Sequence, residues 1–324
     1  MKTPRFWSSR GWISTLLVPL SIIYDMVNVL KQAKVKPVAF PVPVICVGNL
    51  TAGGAGKTPT ALYIGERLKI HGVNAFFLSR GYGGKSAGPL LVNLKKHTAA
   101  DVGDEPLLLA QLLPTIIAAD RVQGARYAIA KGATAIIMDD GFQNRSIIKN
   151  LALLVVDGAR GFGNGRMIPA GPLRERPEDG FKRAHAILVL NRTTILPQLP
   201  KDRPAFFART YPKDAAMFKG KKIYAFCGLA YPQKFFEMLA TTGAKIVGET
   251  AFPDHYPYTA LDMRKLLLTS YAADAVLVTT AKDMMRIPER FRDSVVVMEM
   301  EMEFDNPAIF DSVLNYIVTG NETA

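Results

Sequence analysis

The sequence predicts an α/β fold, a mostly parallel sheet with helices on both faces, followed by a smaller C-terminal α/β unit. Three observations predict it. From Pro41 onward, short runs that are apolar along their whole length alternate with helical patterns. Such runs mark strands buried on both faces, which a parallel sheet between helix layers requires. A stretch with three prolines, Ile195 to Pro204, interrupts the alternation, which then resumes. Finally, 324 residues leave room for one large domain or two smaller ones.

Composition agrees. With 49% hydrophobic and 21% charged residues, the chain is a packed globular protein rather than a disordered or fibrous one. Cys46 and Cys227 are far apart, with no Cys and His cluster at metal spacing. A disulfide framework and a structural zinc site are therefore excluded, and a reducing compartment is expected. The net charge of +12 calls for an anionic partner. Nucleic acid, an acidic membrane surface and a phosphorylated substrate all satisfy it.

The elements follow in order. Between Trp12 and Leu30 apolar residues recur at steps of three and four, the helical period, interrupted by Pro19. Six cationic residues flank this stretch against Asp25, leaving +5 in the first 36 residues. A wide apolar face with basic flanks fits a helix lying in a membrane interface. The alternative is a helix docked on the protein's own core. No small-x-small cleavage site precedes Lys31, so a signal peptide is not expected.

Strands are predicted at 42–47, 75–78, 115–118, 135–138, 151–156 and 186–190, with helices near 59–70, 104–112 and 121–131. After the proline-rich stretch, strands at 222–226, 245–247, 275–279 and 294–298 alternate with helices at 233–241, 259–271 and 307–318. The expected organisation is a membrane-associating helix over 1–36, a larger domain over 37–200 and a smaller α/β domain over 201–324.

The strand ending at Val47 leads into Gly48-Asn49-Leu50-Thr51-Ala52-Gly53-Gly54-Ala55-Gly56-Lys57-Thr58-Pro59 and then a helix. A glycine-rich turn there points backbone N–H groups at a phosphate chain, at the positive end of the helix dipole. Residues Thr51, Ala52, Gly53, Gly54, Ala55, Gly56, Lys57 and Thr58 are the expected ATP-binding loop. Lys57 would reach the β and γ phosphates, and the Thr58 hydroxyl would ligate Mg²⁺. Thr51 stands where the usual pattern has Gly.

Such a loop needs a metal-positioning carboxylate at a neighbouring strand end, and Ala135-Ile136-Ile137-Met138-Asp139-Asp140 supplies two. One of Asp139 and Asp140 is expected on the metal. The fold class sharpens to a P-loop NTPase-like sheet. Three further polar segments fall where a sheet presents its C-terminal loops: Ser79-Arg80-Gly81-Tyr82-Gly83, Asp101-Val102-Gly103-Asp104-Glu105-Pro106 and Ile168 to Glu175. Candidates for a general base are Asp101, Asp104, Glu105, Asp139, Asp140 and His255. Arg80, Arg121 and Arg174 are candidates for contact with a substrate phosphate. Asn191 and the Lys282-Asp283 pair are candidates for the adenine side.

Together with the glycine-rich loop and Asp139-Asp140-Gly141-Phe142-Gln143, these segments resemble the tetraacyldisaccharide 4′-kinase (lipid A 4′-kinase) family of Gram-negative bacteria. The resemblance covers most of the chain, up to Thr279-Thr280-Ala281-Lys282-Asp283. It implies ATP-dependent phosphorylation of the 4′ hydroxyl of a tetraacyl glucosamine disaccharide 1-phosphate to give lipid IVA, with Mg²⁺, at the cytoplasmic face of the inner membrane. It also implies Asp104 as base with His255 hydrogen-bonded to it, catalytic alongside Lys57, and Glu175 as a further metal ligand. No nucleic-acid motif and no obligate protein partner is evident. On the residues alone, a kinase of a small soluble metabolite and a regulatory NTPase acting on a protein partner share the same loop.

Overall fold

The computed structural model describes residues 4–193 and 198–320. Lys2 and the start of the proline-rich stretch, residues 195–197, lie outside the described residues.

Two helices open the chain, α1 (Trp12–Leu16) and α2 (Val18–Ala33). The interruption falls at Leu17 rather than Pro19, which sits in the first turn of α2, where its missing N–H is not needed. Both helices turn their polar residues inward. Ser14 Oγ donates to Ala170 O at 2.7 Å, Ser21 Oγ to Met167 O at 2.8 Å, and Asp25 pairs with Arg176 at 2.8 Å. Leu16, Leu20, Ile23 and Leu30 are left more than half exposed. The alternative of an apolar face docked on the core is thus reversed. No helix among the described residues is long and apolar enough to cross a membrane.

The first sheet is built from β1 (Val44–Gly48), α3 (Lys57–Ile70), β2 (Ala75–Ser79), β3 (Leu90–Leu91), α4 (Ala99–Val102), α5 (Asp104–Ala110), β4 (Thr115–Ile117), α6 (Arg121–Ala130), β5 (Ala135–Asp139), β6 (Leu151–Asp157), α7 (Pro177–Arg183), β7 (Ala186–Leu190) and β8 (Ala205–Pro212). After them come β9 (Lys222–Cys227), α8 (Pro232–Ala240), β10 (Lys245–Ala251), α9 (Ala260–Ala272), β11 (Val276–Thr280), α10 (Ala281–Met284), β12 (Val296–Met298), β13 (Met300–Phe304) and α11 (Pro307–Thr319).

The larger sheet has the order β13-β8-β7-β6-β1-β5-β2-β4-β3, parallel from β8 to β4, with antiparallel β13 and β3 at its edges. Alternate residues of its strands feed two core layers. Cys46, Met138 and Leu154 face one, and Val47, Ile137 and Leu153 face the other together with Ile64 and Leu68 of α3. Gly65 of α3 lets Phe77 approach, since a Cβ there would come within 2.6 Å of the Phe77 ring.

The smaller sheet, β10-β9-β11-β12, is wholly parallel. The expected boundary near residue 200 does not match the change of sheet. β8 pairs with β7 in the larger sheet, and the chain returns to it through β13 and α11. Phe310 of α11 stacks on Phe304 with centroids 4.2 Å apart, and Asp311 binds Arg67 of α3 at 2.6 Å. The helix expected at 307–318 in the smaller domain therefore backs the larger one. Strands β8 and β13, which the sequence reading does not assign, mix polar and apolar residues because β13 is the sheet's edge and β8 lies just inside it.

Candidate active site

The sheet register sets the site. In the β1–β5 ladder Val47 lies beside Asp139, so the carboxylate arrives where the glycine-rich loop begins. Gly56 caps α3 at φ +88, a left-handed conformation that glycine adopts without strain. Ala52 N is tied to Pro172 O at 2.7 Å, and Thr51 bridges to Leu173, so the loop is held from the 168–175 segment.

A cavity of about 1410 Å³ opens over this loop and is lined by residues 52–58, Arg80, Arg121, Asp139, Asp140, Arg174 and, from the smaller sheet's side, His255 and Lys282. The structure separates the two adjacent aspartates. Asp139 is 1% exposed, accepts from Thr58 Oγ1 at 3.1 Å, and its Oδ1 has no hydrogen-bond partner among the described residues. Burial, then the charges of Glu105 and Asp140, pushes its carboxyl up to about 7. Asp140 instead pairs with Lys57 at 3.7 Å and Arg174 at 2.8 Å. Burial would raise its carboxyl, but Lys57 and Arg174 outweigh it and the shift is downward. A carboxylate with an orphaned oxygen beside a threonine hydroxyl is a donor set suited to a hard divalent cation.

Arg121 opens α6, is 5% exposed, donates to Ala118 O and leaves Nε without a hydrogen-bond partner among the described residues. Burial, then neighbouring Arg80, lowers its guanidinium to about 10. The two arginines make one wall of the cavity electropositive. Glu175, by contrast, does not line the cavity. Arg183 holds its carboxylate at 2.5 Å and Gln143 at 3.0 Å, a pairing that a metal ion would have to displace.

Asp104 and His255 meet as expected, across the two sheets. His255 Nδ1 lies 3.0 Å from Asp104 Oδ2. Burial would raise Asp104, but the His255 hydrogen bond and the charges of Lys282 and Arg286 hold it below the usual carboxylate range. Glu105 and Asp104 outweigh burial and hold Lys282 protonated; its Nζ lies 3.0 Å from Glu105 and 3.4 Å from His255 Nε2. An ammonium only donates, so Nε2 is the acceptor and Nδ1 carries the hydrogen bonded to Asp104. Asp104 itself is 2% exposed, and the imidazole is the member of the pair that lines the cavity.

Lys282 lies beside the dyad at the cavity, and Asp283 is fully buried under Tyr258 and Arg286. Asn191 is held by Thr210 at the cavity rim. Sequence reasoning missed Tyr231, whose ring covers Gly53 under the Arg160 guanidinium, and Arg286. The spacing Lys282 to Arg286 is one helical turn, the only signal either residue carries.

A phosphate-type loop beside a central parallel strand, with carboxylates at the next strand end and an acid–base pair facing them, defines a phosphoryl-transfer enzyme of the P-loop class. More narrowly, the chain belongs to the tetraacyldisaccharide-1-P 4′-kinase (LpxK) family, whose model matches residues 13–318. It is 44% identical to the tetraacyldisaccharide 4′-kinase of Rhodospirillum rubrum, with 99% of each chain covered. It is 45% identical to that of Rhodospirillum centenum, covering 99% of this chain and 98% of the relative. Among solved structures it is similar to the "apo" form of LpxK from Aquifex aeolicus in complex with ATP. There the TM-score is 0.76 at 26% identity, over 94% of this chain and 99% of the other.

Proposed function

We propose that this kinase transfers the γ-phosphoryl group of ATP to the 4′ hydroxyl of a tetraacyl disaccharide 1-phosphate drawn from a membrane surface, giving lipid IVA. The observation that carries the reading is the meeting of loop 51–58, Asp139 and the Asp104–His255 pair around one cavity. The loop amides and Lys57 hold the triphosphate. Thr58 and Asp139 would hold Mg²⁺, which supplies charge neutralisation on the phosphates when bound. Asp140 positions Lys57 and Arg174 rather than the metal.

The acceptor hydroxyl, displacing the 3.4 Å Lys282 contact, gives its proton to His255 Nε2, while Asp104 fixes the tautomer and steadies the cation that forms. This exchanges the roles implied by the family resemblance, because Asp104 is buried while the imidazole lines the cavity. Arg80 and Arg121 form the electropositive wall suited to the 1-phosphate or to developing charge. Helix α2 supports delivery from a membrane: Tyr24, Asn28 and Gln32 line the cavity while its apolar face stays exposed. We place the enzyme on the cytoplasmic face of the inner membrane, where ATP is available.

Incubation of the purified protein with labelled ATP, Mg²⁺ and the tetraacyl disaccharide 1-phosphate in mixed micelles tests the reading. A lipid product carrying one added phosphoryl group at the 4′ position supports it. Hydrolysis of ATP at an undiminished rate without lipid would instead favour an NTPase.

A further inference from the structure

We infer that Arg286 is a positioning residue that assembles the Asp104–His255 pair across the two sheets. The inference rests on the proposed role of that pair. Arg286 is far from both residues in sequence, yet its guanidinium touches the surroundings of each. Nη1 donates to Tyr256 O at 3.1 Å and Nη2 to Gly228 O at 3.0 Å. Tyr256 follows His255 directly, and Gly228 O accepts the His255 backbone N–H at 3.2 Å. On its other side, Nε lies 3.2 Å from Asp104 Oδ2, in ion-pair contact although its N–H is not aligned for a hydrogen bond.

This arrangement answers two structural problems at once. His255 has φ +56, a left-handed conformation that a non-glycine residue holds only when its surroundings enforce it, at about 1–3 kcal/mol. Arg286 enforces it by gripping the carbonyl of the next residue, Tyr256, and the Gly228 carbonyl to which the His255 N–H is bonded. A guanidinium with a side chain only 4% exposed also needs compensation, and Asp283, bound to Nη2 at 2.5 Å, already provides one carboxylate. Sharing the same cation with Asp104 ties the larger sheet's carboxylate to the smaller sheet's imidazole loop. Asp283 is in turn locked by Gly228 N, Tyr258 and Thr280. The cation therefore has one fixed place.

The groups facing Asp104 are His255, Lys282 and Arg286 from the smaller sheet's side, with Glu105 next to it on α5. Lys282 and Arg286, one turn apart, flank the pair, but only Arg286 also holds the backbone. Its loss should misplace the imidazole and remove one of the charges that keep Asp104 ionised.

The test uses the full chain with ATP, Mg²⁺ and acceptor lipid in micelles, comparing Arg286→Gln and Arg286→Lys with the native enzyme. We expect kcat to fall roughly 10²-fold in Arg286→Gln, with the KM for ATP changed less than about threefold, since the ATP loop is untouched. The acid limb of the kcat–pH profile should move to higher pH. Arg286→Lys keeps the charge without the fork, so it should recover the limb more than the rate, and it carries the test if Arg286→Gln does not fold. In an Asp104→Asn background, Arg286→Lys should cost less than it does in the native chain, since the tie to Asp104 is already broken and only the hold on the His255 backbone is left to lose. An unshifted profile with native kcat, or losses that simply add in the double variant, would overturn the inference. Native kcat in Asp104→Asn alone would overturn the dyad reading instead.

Discussion

Thr58 Oγ1 donates to Asp139 Oδ2 at 3.1 Å and leaves Oδ1 of that aspartate without a hydrogen-bond partner among the described residues. The first hydroxyl after Lys57 and the end of β5 are therefore joined directly, at a point where a buried carboxyl has been pushed up to about 7. A proton and a divalent cation would compete for Asp139.

A pH dependence follows. Because the folded value exceeds the unfolded one, the native state binds the extra proton between the ordinary carboxylate range and about 7. Asp139 thus contributes stability that is fully present at acid pH and is lost as pH rises through about 7. Asp104 and Asp140, both depressed, act in the opposite sense, adding stability that is lost on acidification. Comparison with Asp139→Asn isolates the first contribution. Without Mg²⁺, thermal unfolding should show the variant gaining on the native protein from pH 5 to pH 8, and Mg²⁺ with ATP should stabilise only the native chain. Parallel curves at all pH values would count against this account.

The dyad gives a kinetic expectation. Asp104→Asn keeps the shape but cannot steady an imidazolium, and His255→Ala removes the acceptor of the proton. Each should lower kcat by roughly 10²–10⁴-fold, the usual range for a general base, while ATP affinity measured by titration stays near native. Equal loss of ATP binding would point to a folding defect instead.

Gly53 has φ +110, and a Cβ there would come within 2.8 Å of the Tyr231 ring. Gly53→Ala is therefore strained in backbone and blocked by a ring that Arg160 holds from the other side at 3.3 Å. We expect ATP affinity to fall at least tenfold. Tyr231→Ala should relieve part of the steric loss but not the backbone strain. Full recovery in the double variant would show that the ring alone matters.

Much of this was legible in the sequence, for identifiable reasons. Strands β1, β2, β5, β6 and β7 are buried on both faces, so their apolar runs declare them, and the glycines of the loop announce a backbone that must bend. Edge strand β13 and its neighbour β8 carry half-polar patterns without that signature. Asp139 and Asp140 could not be told apart, because their difference lies in partners more than 30 residues away in sequence, Thr58 and Arg174. The partner of Glu175 was hidden for the same reason, since a carboxylate in a polar loop does not reveal that Arg183 lies against it. Arg286 and Tyr231 act across the two sheets, and no periodicity reports which loops of two sheets will meet.

The N-terminal helix gives the last expectation. Ser14, Ser21 and Asp25 fasten α1 and α2 through their polar side, so the apolar residues stand outward with no partner among the described residues. Leu20 and Ile23 are 52% and 54% exposed. Replacing both with glutamate removes little buried area, and stability should change by less than about 1 kcal/mol. At a membrane the same change places two anions against acidic headgroups and forfeits apolar insertion. Sedimentation with anionic vesicles should therefore fall at least tenfold, and turnover of vesicle-embedded acceptor with it, while turnover of acceptor in detergent micelles stays near native. Asp25→Ala should behave differently. It frees Arg176 and loosens the attachment of α2 beside the cavity, lowering turnover in both settings while leaving vesicle binding intact. If the glutamate pair left vesicle binding unchanged, the exposed face would need another explanation, and delivery of the lipid along α2 would be wrong.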